Sequence, residues 1–131
     1  MRKLLILDDN AELLLAIQRL LSFYNFTIRT IEDSKSLPNE INSFKPEVII
    51  IDVLLKGEDG RQVCTALRND PNNKEITLIL FSASPGHLLN FQEYGADAAI
   101  EKPFGAKDLV EQIEAAILTR REFLFNMCRK F

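Results

Sequence analysis

Short apolar segments alternate with helical segments along the chain, and this alternation restricts the fold more than any other feature. Apolar runs at residues 4–7, 48–51, 77–81 and 98–100, together with an alternating segment at 27–31, are predicted to be β-strands. Runs 4–7, 48–51 and 77–81 are apolar on both faces, as in parallel strands that helices cover from two sides. The pattern predicts a doubly wound α/β domain, in which a five-stranded parallel sheet carries helices on both faces.

Five helices are predicted between and after these strands. Their apolar residues recur at three- and four-residue spacing, except in the fourth helix, at residues 87–94, where the pattern is poorest. The apolar positions of the other four are Leu13, Ile17, Leu20 and Tyr24; Leu37, Ile41 and Phe44; Val63, Ala66 and Leu67; and Leu109, Val110, Ile113, Ala116 and Ile117. Right-handed crossovers make all five strands point the same way, so the residues that follow them gather along one edge of the sheet.

Composition limits the classes of partner. The chain has 131 residues, enough for one domain, and its net charge of -3 argues against binding nucleic acid or anionic lipid through bulk charge. Two cysteines, Cys64 and Cys128, are too few for a disulfide framework. No apolar run approaches the roughly 18 residues of a membrane span. We therefore expect a cytoplasmic protein without direct contact to membrane or nucleic acid.

Charged and hydroxyl side chains follow four of the five predicted strands. Asp8 and Asp9 follow the first, Asp52 the third, Ser82 the fourth and Lys102 the fifth. If the strand order is 2-1-3-4-5, the first and third strands are neighbours and the three carboxylates share one pocket. Three like charges at close range need a cation, and hard carboxylate oxygens suit Mg²⁺. We infer a magnesium site at this edge.

Each of these residues also has a simpler interpretation when it is taken alone. A single Ser82 or Asp9 after a strand is more often a helix N-cap, and a single Lys102 is more often a solvated surface charge. In combination they indicate phosphoryl chemistry. Lys102 would act as a point charge for a phosphoryl oxygen, Ser82 as a neutral donor and a carboxylate as the phosphoryl acceptor.

Several short motifs, in this order and spacing, carry a resemblance to a known family. They are Leu7-Asp8-Asp9-Asn10, Ile51-Asp52-Val53-Leu54 followed by Asp59-Gly60, Phe81-Ser82-Ala83, and Gly95-Ala96-Asp97 leading to Glu101-Lys102-Pro103-Phe104. The chain resembles the receiver domain of bacterial two-component response regulators over residues 1 to about 120. The resemblance implies the flavodoxin-like fold with strand order 2-1-3-4-5.

The resemblance also implies a role for each matching residue. Asp52 matches the aspartate that accepts a phosphoryl group from a sensor histidine kinase or a phosphotransfer protein. Asp9 matches the direct Mg²⁺ ligand, Asp8 the ligand that acts largely through water, and Leu54 the residue whose backbone carbonyl binds the metal. Ser82 and Lys102 match the groups that hold the phosphoryl group, and the Lys102–Pro103 peptide is expected to be cis. Such a protein is a signalling switch that catalyses only its own phosphorylation and dephosphorylation.

Two departures from the family pattern bear on the alternatives. Ala99 stands where many members have an aromatic residue three positions before the lysine, and Leu55-Lys56-Gly57 replaces the usual Met-Pro pair. Ala99 keeps open a degenerate receiver that binds partners without phosphorylation. A magnesium phosphohydrolase of the haloacid-dehalogenase type also uses an aspartate after a strand, but it needs a second carboxylate where this chain has Leu54.

The C-terminal segment is the last element to interpret. We assign residues 1–121 to a receiver domain and residues 122–131, with three phenylalanines, to a helix extension or tail. The extension either folds back on its own domain or frays, or it forms a docking or homodimer surface. No effector domain fits in the chain, so the output is expected to pass through a downstream partner protein.

Overall fold

The computed structural model describes residues 1–129, and a parallel five-stranded sheet runs through its centre. The strands are β1 (Arg2–Leu7), β2 (Phe26–Ile31), β3 (Val48–Asp52), β4 (Thr77–Ser82) and β5 (Ala98–Glu101). Their spatial order is β2-β1-β3-β4-β5, and all neighbouring pairs are parallel. The predicted strands and their order are confirmed.

Helices cover both faces of this sheet. They are α1 (Ala11–Leu21), α2 (Leu37–Phe44), α3 (Gly60–Asn69) and α4 (Ala106–Arg129). Along β1, Leu4 and Ile6 pack with α1 and α4, while Leu5 and Leu7 pack with α2 and α3. This two-sided burial explains why the central strands are continuous apolar runs. Within residues 1–129, no helix is both long enough and apolar enough to cross a bilayer.

The buried face of α1 differs from the predicted one. Leu14, Ile17 and Leu21 are buried, whereas Leu20 is exposed and Tyr24 lies beyond the end of the helix. The segment Leu13-Leu14-Leu15 supports two overlapping apolar stripes, and spacing alone does not separate them. Burial against the sheet selects the stripe that contains Leu14.

The predicted fourth helix, at residues 87–94, is wrong. The segment forms two single 3₁₀ turns, Pro85–Leu88 and Phe91–Tyr94. Asn90 between them has a φ of 57°, and Gly95 after them has a φ of 88°. Left-handed residues stop a right-handed helix, so neither turn is continued. The connection from β4 to β5 therefore packs on the sheet without a helix of its own.

The last helix, α4, continues well past the sheet. It is 24 residues long, about 36 Å at 1.5 Å per residue. Leu109, Ile113 and Ile117 bury its first half in the core, whereas Phe123 and Phe125 in its second half are 50% and 62% exposed. Residues 122–129 thus continue the helix. Lys130 and Phe131, which complete the predicted extension, lie outside the described residues.

Candidate metal centre

Three aspartates meet at the carboxyl edge of the sheet. Asp8 follows β1, Asp9 follows Asp8, and Asp52 ends the neighbouring strand β3. One oxygen from each carboxylate lies within 4.8 Å of the other two. Asp8 and Asp52 are only 1% and 6% exposed, and Asp9 is half-buried. The trio is therefore a pocket of hard oxygen donors that is largely shielded from water.

Lys102, which directly follows β5, forms ion pairs with two of these three aspartates. Its Nζ donates to Oδ2 of Asp8 at 3.0 Å and to Oδ1 of Asp52 at 3.4 Å, and it lies 4.3 Å from the centre of the Phe81 ring. Its backbone N–H donates to the Ser82 carbonyl at 2.9 Å, which ties the lysine to the end of β4. The Lys102–Pro103 peptide is cis, as the resemblance implies.

Backbone N–H groups hold two of the carboxylates in place. Asp8 Oδ1 accepts from the N–H of Asn10 at 2.9 Å, and Asp9 Oδ2 accepts from the N–H of Lys56 at 2.7 Å. Lys56 lies in the tight turn of a small antiparallel hairpin, Leu54–Leu55 with Glu58–Asp59, in which Gly57 has a φ of 75°. The segment that replaces the usual Met-Pro pair thus folds back over Asp9.

The charge of the cluster is unbalanced. Burial, followed by the negative charge of Asp8, raises the pKa of Asp52, while Lys102 and the backbone N–H of Leu54 act in the opposite direction. Three carboxylates face one ammonium group, and a buried excess of negative charge is costly unless a cation compensates it. The donor set and the charge both fit a hard divalent cation.

Ser82 and Leu54 border this pocket. Ser82 ends β4, beside β3, and its buried hydroxyl accepts the N–H of Ser84 at 3.1 Å. It caps no α-helix, and neither does Asp9, because Asn10 is the N-cap of α1. The side chain of Leu54 is 58% exposed. The structure thus brings Asp8, Asp9, Asp52 and Lys102 together and places Ser82 on the next strand; the individual roles of all these residues stay predictions.

Gly60, at the start of α3, belongs to the Asp59-Gly60 motif of the sequence analysis, which assigned it no role at the site. A Cβ atom at this position would lie 1.8 Å from the carbonyl oxygen of Asp52, and the Gly60 N–H donates to the Val53 carbonyl at 2.8 Å. Only glycine permits this contact between α3 and the end of β3. The signal for it in the sequence is its place in the Asp59-Gly60 motif, directly after the N-cap of α3.

The comparison with protein families agrees with this geometry. Residues 4–114 match the family model of the response regulator receiver domain. The chain belongs to this family. It is 25% identical to the response regulator MprA of Mycolicibacterium vanbaalenii and 29% identical to the nisin biosynthesis regulatory protein NisR of Lactococcus lactis, each match covering 88% of the chain and 50% of the relative. The chain thus spans about half the length of these relatives.

Solved structures show the same fold. The chemotaxis response regulator CheY4 of Vibrio cholerae has a TM-score of 0.78 and 21% identity, with 88% of this chain and 98% of that chain covered. NtrX of Brucella abortus has a TM-score of 0.83 and 24% identity, with 98% of this chain and 30% of that chain covered. Receiver domains act in two-component signalling, where they partner with histidine kinases and downstream effectors, and they bind Mg²⁺ at an acidic pocket.

Proposed function

We propose that this receiver domain is a phosphorylation-controlled switch in which Asp52 accepts a phosphoryl group from the phosphohistidine of a sensor histidine kinase or a phosphotransfer protein. One observation carries the proposal: a single ammonium group, that of Lys102, bridges Asp8 and Asp52 within a pocket of three carboxylates. A purely structural ion pair needs no third carboxylate. The excess negative charge supports a site that binds a divalent cation, and the bound cation together with Lys102 could then hold a phosphoryl group.

Asp8, Asp9 and Asp52, with the backbone carbonyl of Leu54, would hold the Mg²⁺. The hard oxygen donors and the surplus negative charge of the pocket support this assignment. The ion would screen the carboxylates and the oxygens of the incoming phosphoryl group from one another. Asp9 already accepts the Lys56 N–H, so the small hairpin orients one of the proposed ligands.

The transfer itself needs little from the protein beyond positioning. A carboxylate oxygen of Asp52 attacks phosphorus, the phosphorus–nitrogen bond of the donor breaks, and the imidazole nitrogen keeps the electron pair and takes a proton. Lys102 then exchanges its contact with Asp52 for a phosphoryl oxygen, and the Ser82 hydroxyl donates to another. The Ser82 hydroxyl has this proton free, because its one hydrogen bond among the described residues is accepted from Ser84.

Ser82 is the last residue of β4 and directly precedes the connection to β5. Phosphorylation adds about -1.5 to -2 charge at Asp52, which we expect to draw Ser82 and the following residues inward. The connection 83–97 contains two single turns in place of a helix. With Ala99 at the usual aromatic position, we propose that backbone movement of this connection carries the signal to a downstream protein.

A small phosphodonor tests the proposal. The full chain is incubated with acetyl phosphate and Mg²⁺, and intact mass is compared for the wild type, Asp52→Asn and Asp33→Asn. Asp33 is an exposed aspartate after β2 and serves as the matched control. We expect one phosphoryl group on the wild type and on Asp33→Asn and none on Asp52→Asn, with EDTA abolishing the adduct.

The other outcomes separate the alternatives. Absence of an adduct on the wild type in Mg²⁺ contradicts the proposal and favours the degenerate receiver. Continuous consumption of the donor without a stable adduct favours a phosphohydrolase. An adduct on Asp52→Asn assigns the acceptor to another residue.

A further inference from the structure

The last part of α4 exposes several apolar side chains to solvent. From here on, the extension means residues 121–129, the described part of α4 that follows Arg120, and no longer the range 122–131 that was predicted from the sequence. Within it Phe123, Phe125 and Met127 are 50%, 62% and 42% exposed. Arg121 and Arg129 make it basic, with Glu122 as the one acidic residue, and Lys130 follows in the sequence. Exposed aromatic side chains beside basic ones are typical of an interaction surface.

Arg120 holds the base of the extension rigidly. The whole residue is only 7% exposed; its Nε donates to the Lys74 carbonyl at 2.8 Å, and its Nη1 lies 3.6 Å from Oδ1 of Asp97. Its Cζ also lies 4.8 Å from the centre of the Phe123 ring. The helix therefore leaves the domain in a fixed direction, which reduces the entropy that docking would cost.

A groove between α2 and α3 offers a complementary surface. It has a volume of about 1340 Å³, larger than a typical small-molecule pocket and suited to an elongated segment. Its apolar lining includes Leu37, Ile41, Val63, Leu67 and Ile76. Its acidic residues are Glu47, Glu58, Asp59, Asp70 and Glu75, of which Glu47 and Asp59 already form ion pairs with Arg2 and Arg61 at 3.6 and 2.8 Å. Glu58, Asp70 and Glu75 have no ion-pair partner among residues 1–129 and can attract basic groups. The basic residues of the groove are Lys45 together with Arg120 and Arg121, which belong to α4 at one end.

We propose that two copies of this chain form a symmetric dimer in which the extension of each copy occupies the α2–α3 groove of the other. Phe123 and Met127, which lie four residues apart on one face of the helix, would enter the apolar part, and the basic residues of the extension would meet Glu58, Asp70 and Glu75 at the rim. The same chain carries both surfaces, so a two-fold axis makes the contact twice. The extension touches its own groove only near Arg121 and Leu124 and leaves its phenylalanines exposed. The dimer is independent of phosphorylation.

Analytical ultracentrifugation of the full chain, which measures its dimerisation constant, tests this reciprocal docking. Two variants disrupt one surface each: Phe123→Glu with Met127→Glu on one face of the extension, and Ala66→Arg on the groove side of α3. Two controls change equally exposed positions elsewhere, Leu118→Glu on α4 and Ala16→Arg on α1. We expect a wild-type dimer, roughly 100-fold weaker dimerisation for each disrupted variant, and no change for the controls. Circular dichroism confirms that each variant is folded.

Mixing the two disrupted variants gives the sharpest result. One partner then has an intact extension and the other an intact groove, so one of the two exchange contacts forms and heterodimers reappear. A dimer that joins extension to extension shows no such recovery, and this would overturn the proposal. So would a monomeric wild type, or dissociation by Leu118→Glu. The proposal is separate from the proposed phosphoryl transfer, because Asp52→Asn is expected to dimerise like the wild type.

Discussion

Removing the charge of Asp52 is predicted to stabilise the domain in the absence of a divalent cation. The substitution Asp52→Asn keeps the size of the side chain and removes one of the three carboxylates in the pocket. Asp8 retains its contact with Lys102 at 3.0 Å. The residue proposed to carry the phosphoryl group is thus expected to reduce the stability of the metal-free fold.

The magnitude follows from the distances within the cluster. The carboxylate oxygens lie within 4.8 Å of one another; at this upper limit the repulsion between two charges is about 3.5 kcal/mol at an effective dielectric constant of about 20, and Asp52 has two such neighbours. The attraction lost at 3.4 Å from Lys102 is about 5 kcal/mol on the same scale. The difference favours Asp52→Asn by about 2 kcal/mol, which corresponds to a rise in Tm of roughly 6 °C for a domain of this size.

Thermal unfolding followed by circular dichroism measures this effect in EDTA and in Mg²⁺. Glu111→Gln, which removes one exposed charge from α4, is the matched control and is expected to leave Tm nearly unchanged. Mg²⁺ should raise Tm of the wild type more than that of Asp52→Asn, because the variant lacks one ligand. A variant that is no more stable than the wild type in EDTA would refute the reasoning.

The pH dependence provides a second check on the same prediction. Since burial and Asp8 raise the folded-state pKa of Asp52, ionisation of Asp52 costs stability at pH values above that raised pKa. As pH falls through the raised pKa towards the ordinary value of 3.8, the folded wild type takes up a proton and the cost disappears. In EDTA, the advantage of Asp52→Asn should therefore be full at neutral pH and shrink over this acidic range. A constant difference would contradict the assignment.

Three further substitutions test other features. Gly60→Ala is expected to cost roughly 3 kcal/mol or more in urea unfolding, because its Cβ would collide with the Asp52 backbone, whereas Gly86→Ala, with open space around it, should cost little. Arg120→Met is expected to lower the free energy of unfolding by about 3 kcal/mol, because it removes the donor to the Lys74 carbonyl and leaves Asp97 paired with Arg68 alone. The exposed substitution Arg121→Met is the control and is expected to leave the free energy of unfolding nearly unchanged. We propose that the Leu54 side chain, which offers no hydrogen bond, keeps water from the phosphoryl group. Leu54→Asn is then expected to shorten the lifetime of the phosphorylated state, because the amide can orient an attacking water. An unchanged lifetime, or equal shortening by Leu89→Asn, would contradict this role of Leu54.

The sheet and its acidic pocket were predictable from the sequence for one topological reason. Parallel strands place their carboxyl ends at a single edge, so Asp8, Asp52 and Lys102 converge although long stretches of chain separate them. The apolar runs that form β1, β3 and β4 are buried on both faces, which makes their signal strong. The local pattern of apolar residues was therefore enough to predict that side chains far apart in the sequence meet at this edge.

Other features depend on details that periodicity does not contain. The connection from β4 to β5 has the poorest helical pattern of the five predicted helices, and the left-handed backbone of Asn90 separates its two 3₁₀ turns. The role of Gly60 arises from an approach of α3 to Asp52 that exists only in the folded chain. The α2–α3 groove is likewise a product of packing, since each of its walls looks like an ordinary amphipathic helix.

The arginine at the base of the extension is still part of the packed core of the domain. The family match ends at residue 114, yet Ala116, Ile117 and Arg120 are buried, and Arg120 shares Asp97 with Arg68 of α3. A fragment trimmed to the matched length would expose part of the core and leave a carboxylate under-neutralised at the edge opposite the acidic pocket. Any transplant of this module into another protein should therefore make its junction after Arg120.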